Sequence, residues 1–294
     1  MNQMSDYKKQ AATLIEALPY IKKFNGAIVV IKYGGAAIVD REMEKSVIND
    51  IALMKLVGLH PVIVHGGGKD INGMLERVGK EHKFVNGLRF TDEETMDIVQ
   101  MVLAGRVNKN LVSLFTNQGM NAIGISGQDG HILEVEKHMP GGDDIGYVGK
   151  ITSVNPVLIA KLIDDDFIPI IAPVGVDSTG HSYNINADYV ACHVASALGA
   201  TKLLFLSDIE GVLDKSGKLI KKIKVSEVNS LIEDGTINGG MIPKIRGAAE
   251  SVVNGVSGVH IIDGRLEHSL LIELFTDFGV GTMIHSREDL NGYY

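Results

Sequence analysis

The sequence contains a single cysteine, Cys192, among its 294 residues. One cysteine excludes an intrachain disulfide and any zinc cluster built on cysteine ligands. Cys192 lies in an alanine-rich run with a helical pattern, so we interpret it as a small core residue rather than a reactive thiol.

Long apolar runs are also missing. No segment approaches the ~18 consecutive apolar residues that a membrane span requires, and the N-terminus is too polar for a signal peptide. The formal net charge is -8, which argues against nucleic acid or an anionic membrane as a main partner. We therefore expect a cytoplasmic protein whose ligands are small molecules.

Three common enzyme motifs are absent. The segment GGGKD has neither the spacing nor the hydroxyl of a G-x-x-x-x-G-K-[ST] loop, and the G-x-G-x-x-G frame that starts at Gly66 ends in Ile71. No G-x-S-x-G elbow occurs either. A P-loop NTPase, a dinucleotide-dependent dehydrogenase and a serine hydrolase of that type are therefore disfavoured.

One stretch near the N-terminus, AIVVIKYGGA at 27–36, organises the rest of the chain. A short, fully apolar run of β-branched residues predicts a strand in the middle of a parallel sheet. Ligands of such sheets bind at the carboxyl ends of the strands, which is where Lys32, Gly34 and Gly35 fall. Glycine lets backbone N–H groups approach a phosphate, and a lysine supplies the compensating charge.

Strands and helices alternate from Gly26 onward, which predicts an α/β fold with a mostly parallel sheet and helices on both faces. The pattern favours two lobes of one continuous sheet, 26–200 and 201–294, preceded by an amphipathic helix in 1–25 that Pro19 should kink. Asn86-Gly87 predicts a hairpin. Thr91 and Glu94 predict a capping box at the start of the following helix.

Four strand-to-loop junctions carry glycine or another group that suits phosphate. One such loop is weak support, but four in one α/β chain predict a phosphate-bearing ligand. These junctions are Lys32 to Gly35, Gly66 to Gly68, Ser207-Asp208, and Gly239 to Lys244.

Six segments occur in a fixed order: VIKYGG, VIVHGGG, NGLRFT, YNINAD, LSDIEGVL and GGMIPK. Together they resemble the amino acid kinase family, and most closely those members that phosphorylate N-acetyl-L-glutamate. The resemblance covers nearly the whole chain from about Gly26. It implies an αβα sandwich in which residues 26–200 bind acetylglutamate and residues 201–294 bind ATP.

The resemblance implies transfer of the γ-phosphoryl of ATP to the side-chain carboxylate of N-acetyl-L-glutamate, on the route to arginine. A carboxyl of this type has a pKa of about 4.3, so the nucleophile is already ionised and no general base is needed. Catalysis must then come from charge and positioning. By the resemblance, Lys32 and Lys244 stabilise the transferring group and Asp188 holds both lysines, although a helix N-cap is the alternative interpretation of Asp188.

The resemblance also implies the residues that bind the two substrates. Arg89 offers a two-pronged donor set for the α-carboxylate of the acid. The remaining substrate residues are Gly67, Gly68, Asn184 and Asn186, and those for ATP are Gly34, Gly35, Gly66, Ser207, Asp208 and Leu213. Magnesium should arrive bound to ATP, and no dedicated metal site is predicted. His65 has no partner at ligand spacing, so we interpret it as structural.

Some family members are inhibited by arginine and assemble as hexamers, and they resemble this chain at both ends. The matching positions imply an arginine site at Tyr20, Lys22, His268, Glu273 and Gly279. The N-terminal helix would link dimers into a trimer of dimers. Whether a nitrogen-signalling protein docks stays open.

Two alternatives remain at this point. Glutamate 5-kinase, carbamate kinase, aspartokinase and uridylate kinase share the predicted sheet and glycine loops, although Arg89 and the segment YNINAD favour acetylglutamate. A sensor of nucleotide or arginine without catalysis is the other. It would have no need for both Lys32 and Lys244.

Overall fold

A single eight-stranded sheet runs through both halves of the chain, in the order β12-β14-β13-β11-β1-β2-β8-β5. The computed structural model describes residues 3–34, 41–277 and 279–286. The strands are β1 (Ile28–Tyr33), β2 (His60–His65), β3 (Phe84–Val85), β4 (Leu88–Arg89), β5 (Ala122–Ser126), β6 (Leu133–Lys137), β7 (Gly149–Val154), β8 (Ile168–Ala172), β9 (Val174–Val176), β10 (Ser182–Asn184), β11 (Lys202–Ser207), β12 (Lys222–Lys224), β13 (Gly258–Asp263) and β14 (Thr282–His285).

Helices cover both faces of this sheet, as the alternating pattern predicts. They are α1 (Gln3–Phe24), α2 (Arg41–Leu56), α3 (Gly68–Arg77), α4 (Glu93–Gln100), α5 (Asn108–Asn117), α6 (Val157–Asp164), α7 (Ala187–Ala197), α8 (Val228–Glu233), α9 (Met241–Val253) and α10 (Ser269–Phe275). A π-helical segment, Met101–Val107, joins α4 to α5.

The central sheet is parallel except where β13 meets β14, so the predicted mostly parallel sheet is confirmed. A smaller sheet of β10-β9-β6-β7 and the β3-β4 hairpin lie outside it. Asn86 and Gly87 both have positive φ, 51° and 80°. Two consecutive left-handed residues make a tight hairpin turn, which confirms the prediction made from Asn-Gly.

The core alternates along β1 because successive strand residues face opposite sides of a sheet. Val30 packs into the cluster beneath α7 and α9, while Val29 and Ile31 pack into the cluster beneath α2, α5 and α10. All three side chains are fully buried. Burying each one stabilises the fold by roughly 1.5–3 kcal/mol, so β1 is anchored at the centre of the molecule.

Helix α4 begins one residue later than the predicted capping box requires, so that prediction is wrong. Asp92 is the N-cap, and its carboxylate accepts a hydrogen bond of 2.9 Å from the Thr95 N–H. Thr91 is fully buried, and its hydroxyl donates to the Arg89 carbonyl. The backbone of Thr91 also pairs with Ile145 and Tyr147. Thr91 is therefore bound to this distant loop and does not cap the helix.

Helix α1 is assigned without a break from Gln3 to Phe24, with Pro19 inside it. Tyr20 and Phe24 bury their side chains against the cluster beneath α2 and α10, so the end of α1 packs on its own chain. The kink predicted at Pro19 stays a prediction. Among the described residues, no helix is long and apolar enough to cross a membrane.

Candidate active site

Lys32 ends the apolar part of β1, where it lies between Val64 of β2 and Phe205 of β11 in the sheet register. Its Nζ atom is 3.1 Å from Asp188 Oδ1, and the Nζ atom of Lys244 is 2.7 Å from Asp188 Oδ2. The structure therefore brings together two lysines that are 212 positions apart (244 − 32) around one carboxylate. We call Lys32, Asp188 and Lys244 the lysine–aspartate cluster.

Each member of this cluster comes from a different element. Lys244 lies in the first turn of α9, which follows the glycines at 239 and 240, and its ammonium group is 5.0 Å from the centre of the Phe205 ring. Asp188 lies in the first turn of α7, whose N-cap is Asn186. Asp188 is therefore not the N-cap, and its carboxylate forms ion pairs with Lys32 and Lys244.

Electrostatics keeps this carboxylate charged. Burial by itself would raise the pKa of Asp188, but the charges of Lys32 and Lys244 outweigh burial and hold the pKa below its usual value. The side chains of the cluster remain 13–25% exposed, so they can meet a ligand from solvent. Two ammonium groups share one carboxylate, which leaves one net positive charge for an incoming anion.

A glycine loop faces the cluster from the end of β2. Gly67 is the N-cap of α3, so the first N–H groups of that helix point out of its end and have no intrahelical acceptor. A Cβ at Gly67 would lie 2.5 Å from Cδ2 of Leu103, which belongs to the π-helical segment. Even the smallest side chain at position 67 would have to push this Leu103 methyl group aside.

Arg89 closes the opposite side of the site. Its side chain is buried, and Nη2 donates to Asn72 Oδ1 at 2.6 Å and to the Gly68 carbonyl at 3.2 Å. The guanidinium lies 4.8 Å from the centre of the Phe84 ring. Its Nη1 atom is buried and has no hydrogen-bond partner among the described residues. An unpaired buried donor is costly, which points to an anionic ligand at this end.

A cavity of about 270 Å³ connects these groups. The lysine of β1 and the glycine loop line one part of it, and Arg89 lines another. Its lining residues are Lys32, Gly66, Gly67, Gly68, Ile71, Phe84, Gly87, Leu88, Arg89, Leu103, Val148, Pro173, Asn184, Ile185, Asn186, Ala187 and Asp188. The residues predicted for the acid substrate are all in this set.

Two asparagines in the lining have different surroundings. The Asn184 amide donates to the Thr91 hydroxyl at 3.3 Å, beside the cavity. The Asn186 side chain accepts a hydrogen bond of 2.8 Å from the Asp188 N–H. Asn186 therefore holds the start of α7, and through it the position of Asp188.

The ends of the neighbouring strands β1, β2 and β11 carry four of the residues predicted for ATP: Gly34, Gly66, Ser207 and Asp208. Ser207 ends β11 next to β1, its side chain is buried, and exposed Asp208 follows it. Leu213 forms a β-bridge with Leu219 in the next hairpin. Gly34 follows β1 with a positive φ of 95°, and Gly35 lies outside the described residues. Of the five predicted positions that the structure describes, Gly66 alone lines the 270 Å³ cavity.

Two residues that contact the site were not predicted as part of it: Asn72 and Thr91. Asn72 lies four residues after Gly68 on α3, a spacing that places it on the face of Gly68, so its contact with Arg89 had a local signal. Thr91 lies beside Asn184 because both residues pair with the backbone of Tyr147, a long-range arrangement that the sequence does not reveal. No three His, Cys, Asp or Glu side chains within the described ranges group as a metal site.

The five residues predicted for arginine lie at the end of α1, on or beside α10, and in the segment that follows it. A second cavity of about 40 Å³ lies between the end of α1, α10 and the β11-β13-β14 edge, and only Glu273 and Gly279 of the five line it. The Tyr20 hydroxyl donates to Asp277, and the His268 ring bonds to Asp50 at 2.6 Å. Lys22 does not line this cavity either.

Glu273 is already fully engaged. Its Oε1 atom is 2.6 Å from His260 Nδ1, and its Oε2 atom accepts from the N–H groups of Val280 and Gly281 at 2.6 Å and 3.1 Å. The Nε2 atom of His260 is in turn 2.9 Å from Lys202 Nζ. Lys202, His260 and Glu273 form what we call the lysine–histidine–glutamate cluster.

Comparisons with known proteins agree with this geometry. The profile of the Amino acid kinase family matches residues 27–263. A protein of Thermoanaerobacter sp. (strain X514) named acetylglutamate kinase is 55% identical over 279 residues, which is 94% of this chain and 93% of that protein. An acetylglutamate kinase of Nitrosococcus oceani is 50% identical over 94% of this chain and 96% of its own length.

Solved structures give the same fold. N-acetylglutamate synthase from Neisseria gonorrhoeae, complexed with coenzyme A and N-acetyl-glutamate, superposes with a TM-score of 0.84 at 26% identity over 95% of this chain, and this chain spans 64% of that protein. Carbamate kinase from Giardia lamblia superposes over 89% of this chain and 99% of its own at a TM-score of 0.66 and 16% identity, which shows the fold alone. On the profile match and the identity to these relatives, the chain belongs to the amino acid kinase family.

Proposed function

We propose that this protein transfers the γ-phosphoryl group of ATP to the side-chain carboxylate of N-acetyl-L-glutamate, giving N-acetyl-L-glutamyl 5-phosphate and ADP. One observation carries the proposal. One cavity is lined by Lys32 and Asp188, to which Lys244 is bound, and by Arg89, whose buried Nη1 atom has no hydrogen-bond partner among the described residues. Relatives at 50–55% identity bear the name acetylglutamate kinase.

The electrostatic problem of this reaction suits these residues. The attacking carboxylate is ionised at neutral pH, so it needs no general base, but it must approach a polyanion. Lys32 and Lys244 would place positive charge on two sides of the migrating phosphoryl, where negative charge is spread in the transition state. Asp188 would keep both ammonium groups in position before the substrates arrive. The N–H groups at the start of α3 would add further donors.

The acid would bind with its α-carboxylate at Arg89. Nη1 of Arg89 has no hydrogen-bond partner among the described residues, and leaving such a donor buried costs about 1–3 kcal/mol. A carboxylate would remove that cost and form a charge-assisted hydrogen bond. Asn184, on the same cavity wall, is the candidate for the remaining polar atoms of the acid.

The nucleotide would lie on the side of Ser207, Asp208 and Leu213, with its phosphates toward Gly34, Gly66 and Lys244. Mg²⁺ would come with the nucleotide, held mainly by phosphate and water. The described residues do not gather into a three-ligand cluster, so no step is assigned to the metal. The lobes 26–200 and 201–294 would bind the acid and the nucleotide respectively. A cytoplasmic location is part of this proposal.

Feedback inhibition by arginine, in a hexamer of three dimers, is a further part of the proposal. The small cavity at α10 holds Glu273 beside Lys202, Lys221 and Lys222, which suits a ligand with both a cation and a carboxylate. A guanidinium would have to displace the hydrogen bonds that Glu273 now accepts. Helix α1 exposes Leu14, Ile15 and Leu18 by 72%, 65% and 56%, which supports a role for α1 in contacts between subunits.

A phosphorylation assay over a panel of acceptors tests the function. Purified protein, ATP and Mg²⁺ are combined with acetylglutamate, glutamate, aspartate, carbamate or UMP, and ADP release is measured. We expect acetylglutamate to be the preferred acceptor. Preference for another acid would reassign the protein within its family, and no ADP release with any acceptor would contradict the proposed catalysis.

A titration with arginine tests the regulatory part separately. We expect acetylglutamate phosphorylation to fall as arginine rises toward the millimolar range. Sedimentation of the intact protein and of a variant lacking residues 1–24 should show a smaller assembly for the variant. Full activity at millimolar arginine would contradict the inhibition, and equal assembly sizes would contradict the role of α1.

A further inference from the structure

His65 ends β2 directly before the glycine loop, and its side chain is fully buried. Its Nδ1 atom is 2.7 Å from the carbonyl oxygen of Gly66. A carbonyl can only accept a hydrogen bond, so Nδ1 must carry the proton. Burial lowers the pKa of His65 to about 4, so the ring is neutral at physiological pH and Nε2 is an acceptor.

Asn108 fixes this tautomer from the other side of the ring. Its Nδ2 atom is 3.2 Å from His65 Nε2 and 2.9 Å from the Ile170 carbonyl, while its Oδ1 atom accepts from Lys109 Nζ at 3.1 Å. The carbonyl and the ammonium group together decide which end of the amide faces which way. The same nitrogen is 3.3 Å from the Ile125 carbonyl, so its two hydrogens serve three acceptors, of which His65 Nε2 is one. An amide nitrogen cannot accept a hydrogen bond, so His65 Nε2 is the unprotonated ring nitrogen.

The Asn108 amide fits at this place because residue 124 on β5 is a glycine. A Cβ at Gly124 would lie 1.8 Å from Asn108 Oδ1. Any side chain at position 124 would therefore displace the Asn108 amide. The sequence of contacts runs from the small residue on β5, through a fully buried amide and a buried ring, to one carbonyl of the glycine loop.

That carbonyl matters because of the peptide unit to which it belongs. In a trans peptide the C=O of one residue and the N–H of the next point in opposite directions, and no cis bond occurs in the described residues. A Gly66 C=O held toward His65 thus directs the Gly67 N–H to the opposite side. Both glycines line the 270 Å³ cavity. Without a restraint, a Gly-Gly peptide rotates easily and could present oxygen to an anion.

We propose that His65, held in one tautomer by Asn108, is a positioning residue that fixes the Gly66–Gly67 peptide with its N–H toward the transferred phosphoryl group. This inference rests on the proposed phosphotransfer, and His65 itself does not line the cavity. The unrestrained peptide would have to be reorganised in each turnover, so the restraint acts on the chemical step rather than on substrate affinity.

Two substitutions separate positioning from packing. In His65→Asn the side-chain nitrogen lies near the place of Nδ1 and can still donate to the Gly66 carbonyl. In His65→Gln the nitrogen lies near the place of Nε2, too far along the side chain for that bond. Both variants lose the ring, so both should lose similar thermal stability. We expect His65→Gln to lower kcat by ~10- to 100-fold, with KM for both substrates little changed. His65→Asn should keep kcat within a few-fold of the unchanged protein.

An equal loss of kcat in the two variants, in proportion to their loss of stability, would overturn the positioning role. Nitrogen NMR of histidine-labelled protein gives a second readout that does not depend on activity. The His65 signals, assigned by their absence in His65→Asn, should show a protonated Nδ1 and an unprotonated Nε2 between pH 6 and 8. The opposite tautomer would overturn the inference even in an active enzyme. An unchanged protein that phosphorylates no acceptor would instead overturn the proposed function on which the inference rests.

Discussion

The two clusters of lysine and carboxylate in this protein contain similar residues, but different causes shift the pKa values of their members. In the lysine–aspartate cluster, the charges of Lys32 and Lys244 keep Asp188 ionised, and Lys32 and Asp188 line the 270 Å³ cavity. In the lysine–histidine–glutamate cluster, burial lowers the pKa of Lys202 to about 8 and that of His260 to about 4. Lys202 and His260 also line a cavity, so burial of these side chains, rather than residue type, sets their lowered pKa values.

The difference shows what each cluster can do. An ammonium group that keeps its proton and faces a cavity can stabilise developing negative charge. With a pKa of about 8, Lys202 is still mostly protonated at pH 7 and loses its charge in the mildly alkaline range. Glu273 adds to this contrast because its acceptors are already engaged by His260 and two N–H groups, whereas Asp188 is held only by side chains that belong to the reaction site and by its own helix.

Removing a charge from the lysine–aspartate cluster should have the largest effect. We expect Lys244→Ala to lower kcat by ~10³-fold, since each preorganised donor to a transition state contributes ~10²–10³ and Asp188 also loses a partner. Lys150→Ala is the matched control, because Lys150 forms an exposed ion pair with Glu136 at 2.9 Å and exposed pairs contribute little. A similar loss of kcat in both variants would contradict the account.

Neutralising the carboxylate is the next largest change. Asp188→Asn should lower kcat by ~10²-fold because the two lysines then repel each other and lose their positions. The folded pKa of Asp188 is lowered, so its stabilising contribution is present above the unfolded value of about 3.9 and is lost as pH falls through the folded value. Urea unfolding should therefore show a difference in the free energy of unfolding between the two proteins at pH 7, and this difference should become smaller as the pH falls. A difference that stays constant with pH would contradict this role.

Substitution of Arg89 should act on substrate binding. Arg89→Met removes the buried donors, so KM for acetylglutamate should rise by ~10- to 100-fold, while KM for ATP should change less than about threefold. Arg89→Lys keeps the charge but loses the second hydrogen-bond donor of the guanidinium. Its KM for acetylglutamate should lie between those of the unchanged protein and Arg89→Met. An equal rise in the KM of both substrates would argue that Arg89 shapes the whole site and does not bind the acid.

The smallest effect is expected in the lysine–histidine–glutamate cluster, and it concerns stability. Lys202 has a folded pKa lowered to about 8 from 10.5, so the unfolded chain binds more protons between these values and stability due to this group rises with pH there. Lys202→Met should abolish that rise. Denaturant unfolding of both proteins from pH 7.5 to 10.5 measures it, and parallel curves would show that Lys202 titrates normally.

Much of the fold could be predicted because its signals are local. Fully apolar strands such as β1 and the Asn86-Gly87 turn depend on residues adjacent in sequence, and both were predicted correctly. Thr91 was misassigned as a helix cap because its partners, Ile145 and Tyr147, come from a distant loop. Local propensity cannot detect such a competing contact.

The site divides in the same way. Lys32 and the glycine loop follow from the rule that ligands meet the carboxyl ends of parallel strands. The roles of Asp188, Arg89 and Asn184 came from resemblance to a family, since nothing in the local sequence brings them together. The contact of Asn108 with His65 links residues 43 positions apart through a buried amide, and no sequence pattern indicated it. Among the residues predicted for arginine, Tyr20 and His268 bond to carboxylates, and no sequence pattern indicated these contacts.

The role of Lys32 in stabilising the transferring phosphoryl group can be tested by single-turnover phosphorylation with the Lys32→Ala variant. ATP affinity is measured on the same sample by calorimetry. We expect the rate of ADP formation with acetylglutamate to fall by at least ~10²-fold, because Lys32 acts on the transferring group. The Kd for ATP should change less than about threefold. A rate close to that of the unchanged protein, or a loss fully explained by weaker ATP binding, would contradict this role of Lys32.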